Sequence, residues 1–214
     1  MGVDLVGIIP HDLSKKELLD LVQRLDQYTP LKDAAQSWKL PHWKVDLDQK
    51  ALELIWRYYE SDELDTENMP DQLDADIHCS FGMISVFRHT LLVTNWDHKY
   101  GCLYNPQRAW PILTVNRLLA QLLDQKEILY CTDSAYPTSQ INDKALSGWK
   151  YDDLKDFGMK EYGTPPSDLN QARKMMFFLD DLSYDLNDLE EWDGENNPYW
   201  FYDPKSRNYV QNKF

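Results

Sequence analysis

The sequence predicts an α+β fold: a single domain over 1–214 with a mixed or antiparallel sheet, about four or five packed helices and a C-terminal β-hairpin. Three observations predict it. A short apolar run, Val3–Ile9, is followed at once by Ser14-Lys15-Lys16-Glu17, the signature of a helix start. The stretch Ile77–Thr94 alternates apolar and polar residues at the period of a strand. The tail from Tyr199 to Val210 alternates around Asp203-Pro204-Lys205-Ser206, as a hairpin does. Composition agrees: 8 Trp, 13 Tyr and 7 Phe in 214 residues exceed what a disordered chain carries.

Taken in order, Val3–Ile9 reads as a buried strand closed by Pro10. Leu18, Leu21, Val22 and Leu25 then recur at helical spacing. Pro30 ends that helix or its exit loop. Residues 37–47, with Trp38, Trp43 and Pro41, read as irregular or short extended structure. Asp48 is placed to cap a helix over Gln49–Glu60, with Leu52, Ile55, Trp56 and Tyr59 on one side.

Eighteen residues, Ile77–Thr94, are long for one strand. Either Gly82 forms a bulge or the run folds back around Arg88-His89. The odd positions are mostly apolar, with Ile84, Val86 and Leu92 as exceptions. His89, on that apolar side, reads as a hydrogen-bonded core histidine. A helix is expected after Pro111, capped by Thr114, with Val115, Leu118, Leu119 and Leu122 inward. Ile128–Thr132 reads as a strand and Asp133–Asn142 as a loop. Tyr151–Phe157 reads as a short helix, and 168–181 as a longer one with Leu169, Ala172, Met175, Met176 and Leu179 as its stripe.

Charge is the most informative functional feature. Lys and Arg number 22 against 36 Asp and Glu, giving a net charge of −14. Two windows hold much of the acid and no base. One carries Glu60, Asp62, Glu63, Asp65, Glu67, Asp71, Asp74 and Asp76; the other carries Asp180, Asp181, Asp185, Asp188, Glu190, Glu191, Asp193 and Glu195. Clustered like charges repel and cost stability unless solvated or met by cations. Direct nucleic-acid binding needs a positive footprint, and anionic membranes need the same, so both are disfavoured. The first acidic window is also the one candidate domain break, at 60–76.

Three scattered cysteines, Cys79, Cys102 and Cys131, form no C-x-x-C and fit a reducing compartment. The apolar run at the N-terminus is too short for a signal peptide and carries Asp4. No stretch is long and apolar enough for a membrane span. A cytoplasmic location is therefore expected.

No motif names a reaction. The five histidines show no i, i+4 pair and no H-E-x-x-H. His89, His98 and Cys102 make only a loose three-ligand set. The oxygen-rich 185–195 segment breaks the EF-hand order at Leu189 and Gly194. His78 and Cys79 are strand neighbours and point to opposite faces. His78-Cys79-Ser80 has the H-x-S spacing of two-histidine phosphoesterases, but His89-Thr90 lacks the second copy. Asp133-Ser134 reads as the turn that follows a strand. No cofactor, metal site or catalytic residue is expected.

Aromatic residues border the second acidic window: Trp192, Tyr199, Trp200, Phe201 and Tyr202. Acid beside Trp and Tyr can grip a basic surface by ion pairs and cation–π contact. The expected partner-binding residues are therefore Asp180, Asp181, Asp185, Asp188, Glu190, Glu191, Trp192, Asp193, Glu195, Tyr199 and Trp200, joined by Glu60, Asp62, Glu63, Asp65 and Glu67. At class level the chain is similar to immunity proteins that neutralise basic toxins, and to proteins that mimic nucleic acid. The expectation is an acidic inhibitor of a basic protein, such as a toxin or a nucleic-acid-binding protein. The alternatives are a hydrolase or metal-dependent enzyme with dispersed Asp, Glu and His, and an accessory or scaffold subunit.

Overall fold

A computed structural model describes residues 4–37, 45–60, 75–79, 82–99, 106–133, 137–164, 176–183, 200–203 and 208–211. The fold is α+β. In chain order it runs β1 (Asp4–Pro10), α1 (Lys15–Gln27), α2 (Thr29–Ser37), β2 (Val45–Leu47), α3 (Gln49–Glu60), β3 (Ala75–Cys79), β4 (Gly82–Val86) and β5 (Thr90–Lys99). There follow α4 (Pro106–Leu122), β6 (Glu127–Thr132), α5 (Ser139–Leu146), α6 (Tyr151–Tyr162), β7 (Phe178–Asp181), β8 (Trp200–Asp203) and β9 (Asn208–Gln211). Seven strands form one sheet in the order β2-β3-β4-β5-β1-β6-β7, and every neighbouring pair is antiparallel. Strands before and after the first acidic window share this sheet. The separate β8–β9 pair is antiparallel, as the tail's alternation predicts.

The sheet is covered on both faces, and the side-chain period of two decides what meets what. Leu5 and Ile9 of β1, Ile77 of β3, Ile84 and Val86 of β4, Leu91 and Val93 of β5, and Ile128 of β6 join the first core. That core is closed by Leu18, Leu21 and Leu25 of α1, Leu31 of α2, Leu52 of α3 and Val115 and Leu119 of α4. Val6, Ile8, Leu92, Leu129 and Cys131 face the other way, onto Ile141 and Ala145 of α5 and Tyr151 and Leu154 of α6. The β-then-α opening is as the sequence predicts. Glu17 N–H donates to Ser14 Oγ at 3.4 Å, and Ser14 N–H donates to Glu17 Oε2 at 2.8 Å. Asp48 caps α3 by accepting from the Lys50 and Ala51 amides, both at 3.0 Å.

Several expectations are corrected. The 77–94 run folds back around Arg88-His89, as one of the two expected readings has it, and it makes parts of three strands, since β3 also pairs with β4. The core side chains fall on odd positions in β3 and β5 and on even positions in β4, so Ile84 and Val86 are core residues rather than exceptions. Helix α2 forms where only a loop end was expected. Pro30 sits in its first turn, where the missing N–H has no intrahelical partner to lose. Helix α4 starts at Pro106 and runs through Pro111. The Asp133–Asn142 segment is not all loop, because α5 begins at Ser139, and α6 extends past Phe157 to Tyr162.

The helix expected over 168–181 ends as a strand. Met176 takes a left-handed backbone (φ 55°) that no α-helix continues through, and Phe177 and Phe178 then face opposite cores. Most of that expected helix, 168–175, lies outside the described residues.

Candidate functional site

Strand direction fixes where the acidic windows are rooted. The first window joins the sheet at Ala75, the start of β3, and the second leaves it at Asp181, the end of β7. Alternating directions across the five antiparallel ladders from β3 to β7 bring both junctions to the same end of the sheet. Register makes this concrete. One row of paired residues runs Asp76, Ser85, Leu92, Ile8, Leu129, Leu179. It crosses five ladders, which at about 4.8 Å each separates the two roots by about 24 Å along the sheet.

The expected site residues divide sharply at these roots. Asp180 is buried, at 2% exposure. Its carboxylate accepts from Arg117 Nε at 2.8 Å and from Arg117 Nη2, a two-pronged pair that ties β7 to α4. Arg117 Nη2 also donates to the Asp181 carbonyl at 3.4 Å. Burial pushes the Asp180 carboxyl above its ordinary range, against the pull of Arg117. Burial also opposes the Arg117 cation, but the Asp180 carboxylate outweighs it and holds the charge on. Asp180 therefore serves the interior and is not on a surface that a partner reaches.

Asp181, one residue on, faces solvent and accepts from the Ser183 amide at 2.9 Å, which lowers its carboxyl below the usual range. Asp76 accepts from Ser85 Oγ at 2.7 Å on the face opposite the first core. Glu60 ends α3 and Trp200 begins β8, opposite Gln211. Asp62, Glu63, Asp65, Glu67, Asp185, Asp188, Glu190, Glu191, Trp192, Asp193, Glu195 and Tyr199 lie outside the described residues, as do Asp71 and Asp74.

Next to Arg117 the interface of α4 with the sheet is unusually polar. Asn116 is fully buried beside the enclosed Tyr130 hydroxyl, and among the described residues neither its amide atoms nor that hydroxyl reaches good hydrogen-bond geometry, though the two are close enough for Asn116 to favour the Tyr130 phenolate slightly. Burial, then the charge of Asp180, pushes the Tyr130 phenol well up, so it stays neutral. Gly7 makes the approach feasible. A Cβ there would stand 3.1 Å from the Tyr130 ring and 3.2 Å from Asn116 Nδ2. This set of groups was missed from sequence. Its one available signal was Arg117 itself, a base set among Val115, Leu118 and Leu119.

The histidine and thiol assignments also sort out. His89 sits half-buried in the β4–β5 turn, not in the core. The core histidine is His11, whose Nε2–H donates to the Phe87 carbonyl at 2.8 Å while Nδ1 accepts the Leu13 amide at 3.1 Å. Both ring nitrogens are used by the neutral form, and burial lowers its pKa. His78 is exposed while Cys79 is buried, on opposite faces as expected. Burial pushes the Cys79 thiol up to about 12 and the Cys131 thiol higher, so neither is a thiolate nucleophile near neutral pH.

No group of three or more His, Cys, Asp or Glu side chains placed to hold a metal ion occurs among the described residues. No helix among them is long and apolar enough to cross a membrane. The chain matches no protein-family model, no curated protein and no solved structure.

Proposed function

We propose that this chain is a binding protein that engages a basic protein surface with its acidic windows, in the manner of an inhibitor or immunity protein that occupies a cationic cleft. The observation that supports this reading most is the shared end of the sheet: the acidic windows join it at Ala75 and Asp181, in neighbouring rows about 24 Å apart. Carboxylates rooted on one side of a rigid sheet add their fields, which steers a cationic partner and fixes its orientation. The buried Arg117–Asp180 pair gives the second window a stiff base. A cytoplasmic setting suits the buried thiols of Cys79 and Cys131.

The test is a salt series. The chain, immobilised, should retain a basic partner from cells that make it and release that partner progressively as salt rises. Reversing Asp188, Glu190, Glu191 and Asp193 to Lys, and separately Asp62, Glu63, Asp65 and Glu67, should each weaken retention. Retention untouched by both reversals rejects the proposal.

A further inference from the structure

On a chain of net charge −14, one groove gathers cations and aromatic rings. It lies between the β4–β5 turn and the α5–α6 turn, is broadly open to solvent with a volume of about 610 Å³, and is lined by His89, Trp149, Lys150, Asp153, Phe157 and Lys160, with Asp156 and Gly148 completing it. That volume is in the range of small-ligand pockets. Local sequence builds it. Gly148 takes φ 77°, a left-handed turn that ends α5 and sends Trp149 outward. Lys150 sits at the N-cap of α6, and Asp153, Phe157 and Lys160 follow on the helix at spacings of four and three, so those three share one face.

The rings are fixed before any ligand arrives. Lys144 Nζ lies 4.1 Å from the Trp149 ring centre and 4.3 Å from that of Phe157. Phe157 meets Trp149 edge-on at 6.1 Å and Tyr162 at 6.0 Å, and Tyr162 meets the buried Phe177 at 6.4 Å. The chain of rings anchors Trp149 to the core while leaving it 38% exposed, one of three large apolar side chains so placed among the described residues. Among the described residues, Arg88, Lys150 and Lys160 form no ion pair. Arg88 and Lys150 are felt at His89: burial lowers its pKa, and these two cations lower it further against Asp12. The imidazole is thus kept neutral and offers one donor and one acceptor.

We infer that the groove between the β4–β5 turn and helix α6 is a binding site for a small planar aromatic anion. The ring stacks on the open face of Trp149 and meets Phe157 at an edge, because those two rings stand 75° apart; the anionic group meets Lys150 or Lys160, at opposite ends of the groove, and Asp153 and Asp156 accept from donors on the ligand. This site is independent of the acidic windows and stands if they prove inert.

The test uses the full chain, isotope-labelled, and follows the Gly148 amide and Trp149 indole signals by NMR. The probes are adenosine monophosphate and indole-3-acetate, against neutral adenosine and indole-3-acetamide and against inorganic phosphate. At least one aromatic anion should shift those signals saturably, with its neutral counterpart weaker by about tenfold or more, the equivalent of one good charge contact. Lys150→Gln with Lys160→Gln should erase the preference for the anion, and Trp149→Leu should weaken all aromatic probes. Both lysines are exposed, so the double variant keeps its fold, which unshifted Ile8 and Leu129 signals verify. The inference is overturned if no probe saturates, if neutral probes match the anions, or if the shifts map elsewhere.

Discussion

Replacing Asp180 by Asn removes a charge whose partner stays behind. The two side chains are 3% and 9% exposed, and the guanidinium meets both carboxylate oxygens. An exposed pair contributes at most about 1 kcal/mol. Removing one member of a buried pair costs about 3–5 kcal/mol, because the remaining charge loses its two-pronged carboxylate partner. For a chain of this length that is a fall in melting temperature of about 6–20 °C. Asp180→Asn, Arg117→Met, and Arg117→Met with Asp180→Leu should be compared by urea unfolding followed by far-UV circular dichroism. Both single variants should fall sharply, and the doubly apolar variant should recover most of the loss. A cost for Asp180→Asn below about 1 kcal/mol would refute the reasoning, since it would mean that water already solvates the carboxylate.

Other outcomes follow from packing and burial. Gly158→Ala should destabilise despite its helical position: a Cβ would stand 2.5 Å from Phe177 Cζ and 3.1 Å from Ile141 Cδ1, an overpacking cost of about 1–3 kcal/mol against about 1 kcal/mol of helix propensity. Thermal melts of G158A and of G158A with Phe177→Leu check this, the second recovering part of the loss. His11 has a folded pKa below 6.5, so the unfolded chain takes the proton first. Its stabilising contribution is complete above pH 6.5 and shrinks as pH falls below it. His11→Gln, which keeps a donor and an acceptor, should show a flatter stability profile from pH 7.5 to 5.5 than the parent; equal slopes would exclude the mechanism. Cys79 and Cys131 should resist a thiol reagent in the native protein at neutral pH and react once it is unfolded, as mass spectrometry of labelled peptides would show.

Much of the fold was legible because local signals agreed with tertiary ones. The Ser14–Glu17 box needs only four residues, and β1 and β6 are apolar runs of strand length. The misreadings have physical causes. Ile77–Val93 can be read as one stripe because the core face falls on odd positions in β3 and β5 but on even positions in β4; the fold-back at Arg88-His89 was legible as one of two readings, the separate β3 was not. Ala172, Met175, Met176 and Leu179 fit a helix, and nothing in the sequence reports that Met176 turns left-handed and that Phe178 pairs with Tyr130. At the candidate site, Asp180 is indistinguishable by sequence from Asp181. One is buried against Arg117, 63 residues away, and the other faces water.

By itself the amino-acid sequence determined the charge, the acidic windows, the α+β class and the first helix with its cap, since each depends on composition or on residues a few positions apart. Only the tertiary structure decided that both windows join one end of the sheet, that Asp180 belongs to the interior, and that His89, Trp149, Lys150 and Lys160 meet around a groove. Those facts depend on strand order, direction and register, which long-range burial sets and no short stretch of chain encodes.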